Sequence, residues 1–297
     1  MKKTLQRHLI LGQNGFSHDI VLILFVVIFG VVGTAYLVKS HADTTSADQY
    51  AFGAIPPPDN VNTSTASPSL YEARSYPATV SLTKWAAPVQ SQGSVKSCAA
   101  WAIDYYLVGW YVQKYQYLGG MHSPMYTYSQ IVKGKNIATT PGSNFSIAQS
   151  QGIDTVADYH YGFYNFTNQP TAEQKTNAAH YKIRSHFNIF TGVQPGNKAQ
   201  TLLKRQLASG APAVIMLPVY NGFYRANRSM SLVGLPAAND PLKGYHEVTA
   251  LAYNANGLII ENSWGKTWGD NGFATLSWSF VNKHVIEADA ITGITMK

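Results

Sequence analysis

The stretch from Cys98 to Lys114 is apolar almost all the way round, broken mainly by Asp104, Gly109 and Gln113. A helix of that kind has no face to offer solvent and must be buried on every side. A chain that buries one must build a substantial domain around it. Residues 76–297 number 222, enough for one large or two small lobes with a real core. Ser97 is placed to cap this helix, which puts Cys98 in the first turn, where the macrodipole favours an anion. Cys98 is also the only cysteine in 297 residues, so no intramolecular disulfide staples the fold.

A lone cysteine is ordinarily a small buried hydrophobe, but the residues around this one carry chemistry. A thiol is a good nucleophile only as thiolate and needs a neighbouring base, usually histidine. The imidazole in turn needs a polar partner to hold its orientation, a role an asparagine amide fills. An attacked carbonyl becomes an oxyanion and needs fixed donors, which a glutamine amide and a backbone N–H supply. Gln92 stands six positions before Cys98, His246 lies in Gly-Tyr-His-Glu-Val, and Asn262 opens Asn-Ser-Trp-Gly. The other eight histidines have no such frame and read as ordinary surface or core residues.

With Gln92-Gly93 before Ser97-Cys98, and with His246 and Asn262-Ser263-Trp264-Gly265 running on to Trp268-Gly269-Asp270-Asn271-Gly272, the chain resembles the papain-like cysteine peptidases. The gap of 16 residues from His246 to Asn262 matches that family's spacing. The resemblance covers roughly Ser75 to the C-terminus. It implies an α+β fold of two lobes, a helical lobe and an antiparallel β-barrel-like lobe, with the active site in the cleft between them. It implies Cys98 as nucleophile, His246 as base and acid, Asn262 as its orienter and Gln92 as oxyanion donor. Trp264 would shield the His–Asn hydrogen bond. Met216 would line the pocket for the residue two before the cut, with an apolar side chain expected there. Tyr245 would narrow that pocket, and Gly142 with Ser143 would pair with substrate backbone. No metal or organic cofactor is called for. The departures from the family pattern are Ala99 in place of a large aromatic, Lys96 in place of glycine, and Glu247 in place of a small apolar residue. Strand alternation turns Glu247 away from His246 and so away from the thiol.

Ile20 to Val38 is a run of 19 residues without a charge. As a helix it spans about 29 Å, close to a bilayer's hydrocarbon core. Lys2, Lys3 and Arg7 precede it and only Lys39 follows before Arg74, which holds residues 1–19 in the cytoplasm and sends the rest across. The expected organisation is a basic N-terminus (1–19), a single transmembrane anchor (20–38), a flexible linker (39–75) and the catalytic domain (76–297). The competing reading is a signal segment cleaved near Ala42, after Ser40-His41-Ala42. In either case the enzyme works outside the cytoplasm. The net charge of +7 drops to +4 once residues 1–42 are set aside, with Lys2, Lys3, Arg7, Lys39 and Asp19. That is too modest and too scattered for nucleic acid. The linker is rich in Ser, Thr, Ala and Asp around Pro56-Pro57-Pro58, a composition that cannot bury a core. No folded inhibitory propeptide is expected from it; the alternative is that the linker threads along the cleft as an extended peptide and blocks it, which needs no core of its own.

Beyond the central helix, short helices are expected at Pro124–Ile131 and Ser146–Ser150, on either side of a turn at Pro141-Gly142-Ser143-Asn144. Strands are expected at Tyr181–Ile189, Ala213–Leu217, Val248–Tyr253, Leu258–Asn262, Phe273–Ser277 and Val285–Ala288. The reading is an extracytoplasmic, membrane-anchored cysteine endopeptidase acting on peptides or proteins through a Cys98 thioester. Two alternatives are an inactive peptide-binding module of the same fold, and an acyl transferase or amidase acting on cell-wall peptides.

Overall fold

A computed structural model describes residues 50–58, 76–117 and 119–296. The apolar stretch forms a continuous central helix in three parts: an α turn at Cys98–Ala100, a wider π segment at Trp101–Leu107, and an α segment at Val108–Tyr115. The π residues are all buried, so the rod is enclosed as its composition requires. Ser97 precedes it without capping through its side chain. Its hydroxyl donates to the Val95 carbonyl at 3.5 Å.

The helices Pro124–Val132 and Pro141–Ser150 pack against the central one. The expected turn at Pro141–Asn144 is instead the first turn of the second of these. Thr140 caps it by accepting the Ser143 N–H, and Pro141 takes the N-terminal place that needs no donor. Four further helices, Ala172–Ala178, Lys198–Ala208, the short Asn221–Tyr224 and Trp278–His284, follow later among the described residues.

The strands are β1 (Val80–Ser81), β2 (Tyr181–Ile183), β3 (His186–Thr191), β4 (Ala213–Val219), β5 (Leu232–Val233), β6 (Gly244–Tyr253), β7 (Gly257–Glu261), β8 (Phe273–Ser277), β9 (Glu287–Ile291) and β10 (Ile294–Met296). Eight of them make one sheet, ordered β3-β9-β4-β6-β7-β8-β5, with β1 added to the far end of β6. All its pairings are antiparallel except β5 with β8. The path is open at β3 and β5, so the expected barrel-like lobe is an unclosed sheet. The single strand expected over Tyr181–Ile189 is two, because its halves pair with different partners, β10 and β9. β6 starts earlier than expected and carries His246 within it.

The central helix and the sheet meet directly: the Thr249 hydroxyl on β6 donates to the Ala102 carbonyl at 2.9 Å. Among the described residues no helix is long and apolar enough to cross a membrane. The Ile20–Val38 run lies outside the described residues.

Candidate active site

Two loops are tied together where the helix meets the sheet. The Gln92 N–H donates to the Ser263 carbonyl at 2.8 Å, and the Gly265 N–H donates to the Gln90 carbonyl at 3.1 Å. The Tyr106 hydroxyl reaches from the central helix to the carbonyls of both Gln90 (3.1 Å) and Asn262 (3.2 Å). These bonds fix the loop before Cys98 against the loop after β7. Cys98 is fully buried at the N-terminal end of the helix and packs with Met216 of β4 and with Ala54.

His246, on β6, sets its Nε2 at 2.7 Å from the Asn262 Oδ1. That carbonyl oxygen also accepts the Ser263 N–H, at 2.7 Å. The Trp264 indole lies over the imidazole with ring centroids 4.4 Å apart, so the His–Asn bond runs under an aromatic cover. The other ring nitrogen, Nδ1, is buried and has no partner.

Gln92 is completely buried. Its side-chain oxygen accepts the Ser263 hydroxyl at 2.5 Å, which leaves its amide nitrogen to donate to Val95 O at 2.7 Å and, across the cleft, to Ala51 O at 3.4 Å. Ser263 therefore decides which end of the amide faces the cleft. Sequence reasoning passed over Ser263, although it sits inside the Asn-Ser-Trp motif.

The cleft holds a piece of the chain itself. Tyr50–Pro58, expected to belong to a flexible linker, runs across the thiol instead. Ala54 pairs in parallel with Thr139: the Thr139 N–H donates to Gly53 O at 2.9 Å, and the Ile55 N–H donates to Thr139 O at 3.0 Å. On the sheet side the Ala54 N–H donates to Tyr245 O at 3.3 Å. Tyr50 stacks on Trp264 at 4.6 Å with the rings 6° from parallel, and Phe52 meets the same indole edge-on at 5.9 Å. Gly53 passes so close to the loop before Cys98 that a Cβ there would lie 2.1 Å from the Lys96 carbonyl oxygen. The rest of the expected linker, 39–49 and 59–75, lies outside the described residues.

Burial governs the electrostatics of the pair. Burial pushes the Cys98 thiol up to about 12, and the Glu247 charge adds to that. Backbone hydrogen bonds from Glu247, Gly53 and Ala99 favour the thiolate but are outweighed. Burial likewise holds His246 down to about 4, against the pull of the Asn262 hydrogen bond. In the covered state both partners are neutral. The bond from Gly53 matters geometrically too: the thiol is met by a backbone amide, while the carbonyl at the Gln92 amide is that of Ala51. Lys96 is exposed and is not among the charges acting on the thiol.

Glu247 does face away from His246, yet that face also belongs to the cleft, because the start of the central helix packs on it. Met216 stands in register between Glu247 of β6 and Glu287 of β9. Burial raises Glu247 well above the carboxylate range, with the charges of Glu287 and Asp289 adding to it, and lifts Glu287 to about 7. Asp289 is lifted to about 8, by burial first and Glu287 second. A carboxyl whose value is raised by folding stabilises the fold below its unfolded value and loses that contribution as pH climbs through the folded one. The buried His122 and His246, both lowered to about 4 from 6.5, act oppositely but only below pH 6.5. Between pH 6.5 and 8.5 the acids alone change, so the melting temperature should fall by about 4 °C or more over that window. Calorimetry at the two pH values checks this, and Asp289→Asn should flatten the slope.

Of the residues expected at the site, the structure brings together Gln92, Cys98, Met216, Tyr245, His246, Asn262 and Trp264. Gly142 and Ser143 are one turn away, in the helix start, and the backbone that pairs with the cleft peptide is that of Thr139. A buried cysteine at a helix N-terminus, an imidazole held by an asparagine amide and a glutamine amide turned toward the cleft together define a cysteine-nucleophile hydrolase site. Residues 77–294 match the papain family cysteine proteases, and the chain belongs to that family. It is 26% identical over 211 residues to an uncharacterised peptidase C1-like protein of Acanthamoeba polyphaga mimivirus, covering 67% of each chain. Its fold is similar to xylellain, a cysteine protease from Xylella fastidiosa, with a TM-score of 0.69 and 20% identity over 83% of this chain and 97% of that one. It is also similar to the bromelain protease from Ananas comosus, with a TM-score of 0.56 and 20% identity over 73% of this chain and 99% of the other.

Proposed function

We propose that this cysteine peptidase is an endopeptidase that cleaves peptide or protein substrates through a Cys98 thioester. The observation that carries the reading is an extended peptide, the chain's own, lying across the thiol with one carbonyl at the Gln92 amide. Once that segment leaves, the thiol and the free Nδ1 of His246 can exchange a proton and form the reactive pair. The thiolate attacks the substrate carbonyl carbon, and the oxygen takes its charge between the Gln92 amide and the Cys98 N–H. His246 gives its proton to the departing amine, leaving a thioester. Water then attacks the acyl carbon with His246 taking its proton, which releases the acid and restores the thiol. Asn262 holds the ring in place through both half-reactions. Trp264 keeps water from their bond.

The domain is further read as working outside the cytoplasm behind a membrane anchor at Ile20–Val38. The charge asymmetry around that run and the membrane-spanning length of the run support this. A peptide-library digest with the full chain tests the activity, and added amine acceptors separate hydrolysis from acyl transfer. Gln92→Ala should lower kcat by about a hundredfold to a thousandfold with little change in KM, since its amide acts on the developing oxyanion. A change confined to KM would make Gln92 a substrate-binding residue.

A further inference from the structure

The three acids Glu247, Glu287 and Asp289 have no place in the mechanism above. Glu287 and Asp289 sit two apart on β9 and so share a face. In register, Glu287 lies beside Met216, and Met216 beside Glu247. Met216 is the residue that packs on both Cys98 and Ala54, with Tyr245 and Ile286 at its margin. The acids therefore border the same pocket as the side chain of the cleft peptide. Glu247 is 1% exposed, and its Oε2 is buried without a hydrogen-bond partner. Asp289 is partly satisfied by the Asn188 amide at 3.1 Å. Among the described residues the one ion pair is Arg228 with Asp270, on the surface, so none of the three acids has a cationic partner. The charges acting on Glu247 are the other two acids.

Three carboxyl groups sharing a buried wall without a countercharge stay largely protonated there, and a cation brought among them would favour their ionised form and pair with it. No three acids, histidines or cysteines among the described residues are grouped to hold a metal ion. The cation this wall could take is therefore organic. The covering segment offers only the methyl of Ala54 there and leaves the carboxyls unanswered.

We infer that the pocket walled by Met216, Glu247 and Glu287 selects a cationic side chain, arginine or lysine, at the substrate position two residues before the cut. This rests on the peptidase reading above and replaces the apolar preference expected from the sequence. A guanidinium fits best, because its planar fork can bond a carboxylate at two points and reach the second acid. Glu247 and Glu287 are specificity residues on this account, and Asp289 adds negative potential behind them.

The test compares three N-blocked dipeptidyl coumarylamides with the full chain, identical except for arginine, its neutral isostere citrulline, or leucine at the position two before the cut. The arginine substrate should exceed citrulline in kcat/KM by about tenfold or more, and should exceed leucine. Glu287→Gln should shrink the arginine-to-citrulline ratio to near one. A leucine substrate that matches or beats arginine, or a ratio untouched by Glu287→Gln, overturns the inference. Should that variant fail to fold, the arginine-to-citrulline ratio of the unsubstituted protein decides alone. Affinities of the same peptides for Cys98→Ala, read by titration calorimetry, separate this inference from the reading it rests on. An arginine preference in binding without any cleavage by the unsubstituted chain or by Gly53→Val, which uncovers the thiol, would end the peptidase reading and leave the cationic pocket standing. Cleavage without that preference would do the reverse.

Discussion

Gly53→Val should make the full-length chain markedly more reactive. A side chain at position 53 collides with the Lys96 backbone, its first carbon lying 2.1 Å from that carbonyl oxygen, and a backbone obstacle cannot rotate away. Overpacking of this kind costs about 1–3 kcal/mol. If that cost falls only on the covered state, the uncovered fraction rises by about 5- to 150-fold. The substitution alters no residue of the catalytic domain proper. Carbamidomethylation of Cys98 by iodoacetamide and hydrolysis of a peptide substrate should accelerate together. Unchanged rates in both would mean the segment does not cover the thiol in solution. The sequence alone favoured the other outcome, a chain from near Ala42 active as made, and kept a cleft-blocking linker as its alternative.

Cys98→Ala should lower kcat by about a millionfold while leaving the fold intact, and His246→Ala should be comparably severe, because nucleophile and base act as one unit. Asn262→Ala should cost roughly a hundredfold less than either, since it orients the ring without sharing the proton. Steady-state kinetics on one peptide substrate, with circular dichroism as the control for folding, reads all three. Small and equal losses would remove the thioester mechanism.

Much of the site was legible because its residues sit in short contiguous motifs with chemical reasons for their spacing. The central helix was legible for a simpler reason, that an all-apolar rod has only one place to go. Strands β4 and β6 announced themselves through Ala213–Leu217 and Val248–Tyr253, although β6 reaches back to Gly244 because its pairing with β4 continues through His246. The helix at Ala172–Ala178 could have been found, since Thr171 and Gln174 form a capping box. The covering segment was legible only as an alternative, a linker threading the cleft as an extended peptide. It has no core and no periodicity, and it is held by backbone bonds to Thr139 and Tyr245 and by the Trp264 ring, all far along the chain. Glu247 was misread for a related reason. Alternation gave its direction correctly, but only the packing of the helix on the sheet shows that this direction leads back toward Cys98.

The wide segment of the central helix sets the angular phase between its two ends. At Val108 the amide bonds back to Ile103, five residues earlier, so this stretch absorbs one residue more than an α-helix of the same length. Deleting a single residue between Trp101 and Leu107 would allow an α-helix of about the same length, with its two ends still in phase. Winding the present residues as an α-helix throughout would instead turn everything beyond by about 100° and push it out by about 1.5 Å. The Trp110 indole, which now donates to the Leu82 carbonyl at 2.9 Å, would swing off its acceptor. Cys98 would keep its place only if that far end gave way. The bulge is thus an indexing step in a rigid shaft, letting the thiol end meet the sheet while the other end meets the Leu82 loop.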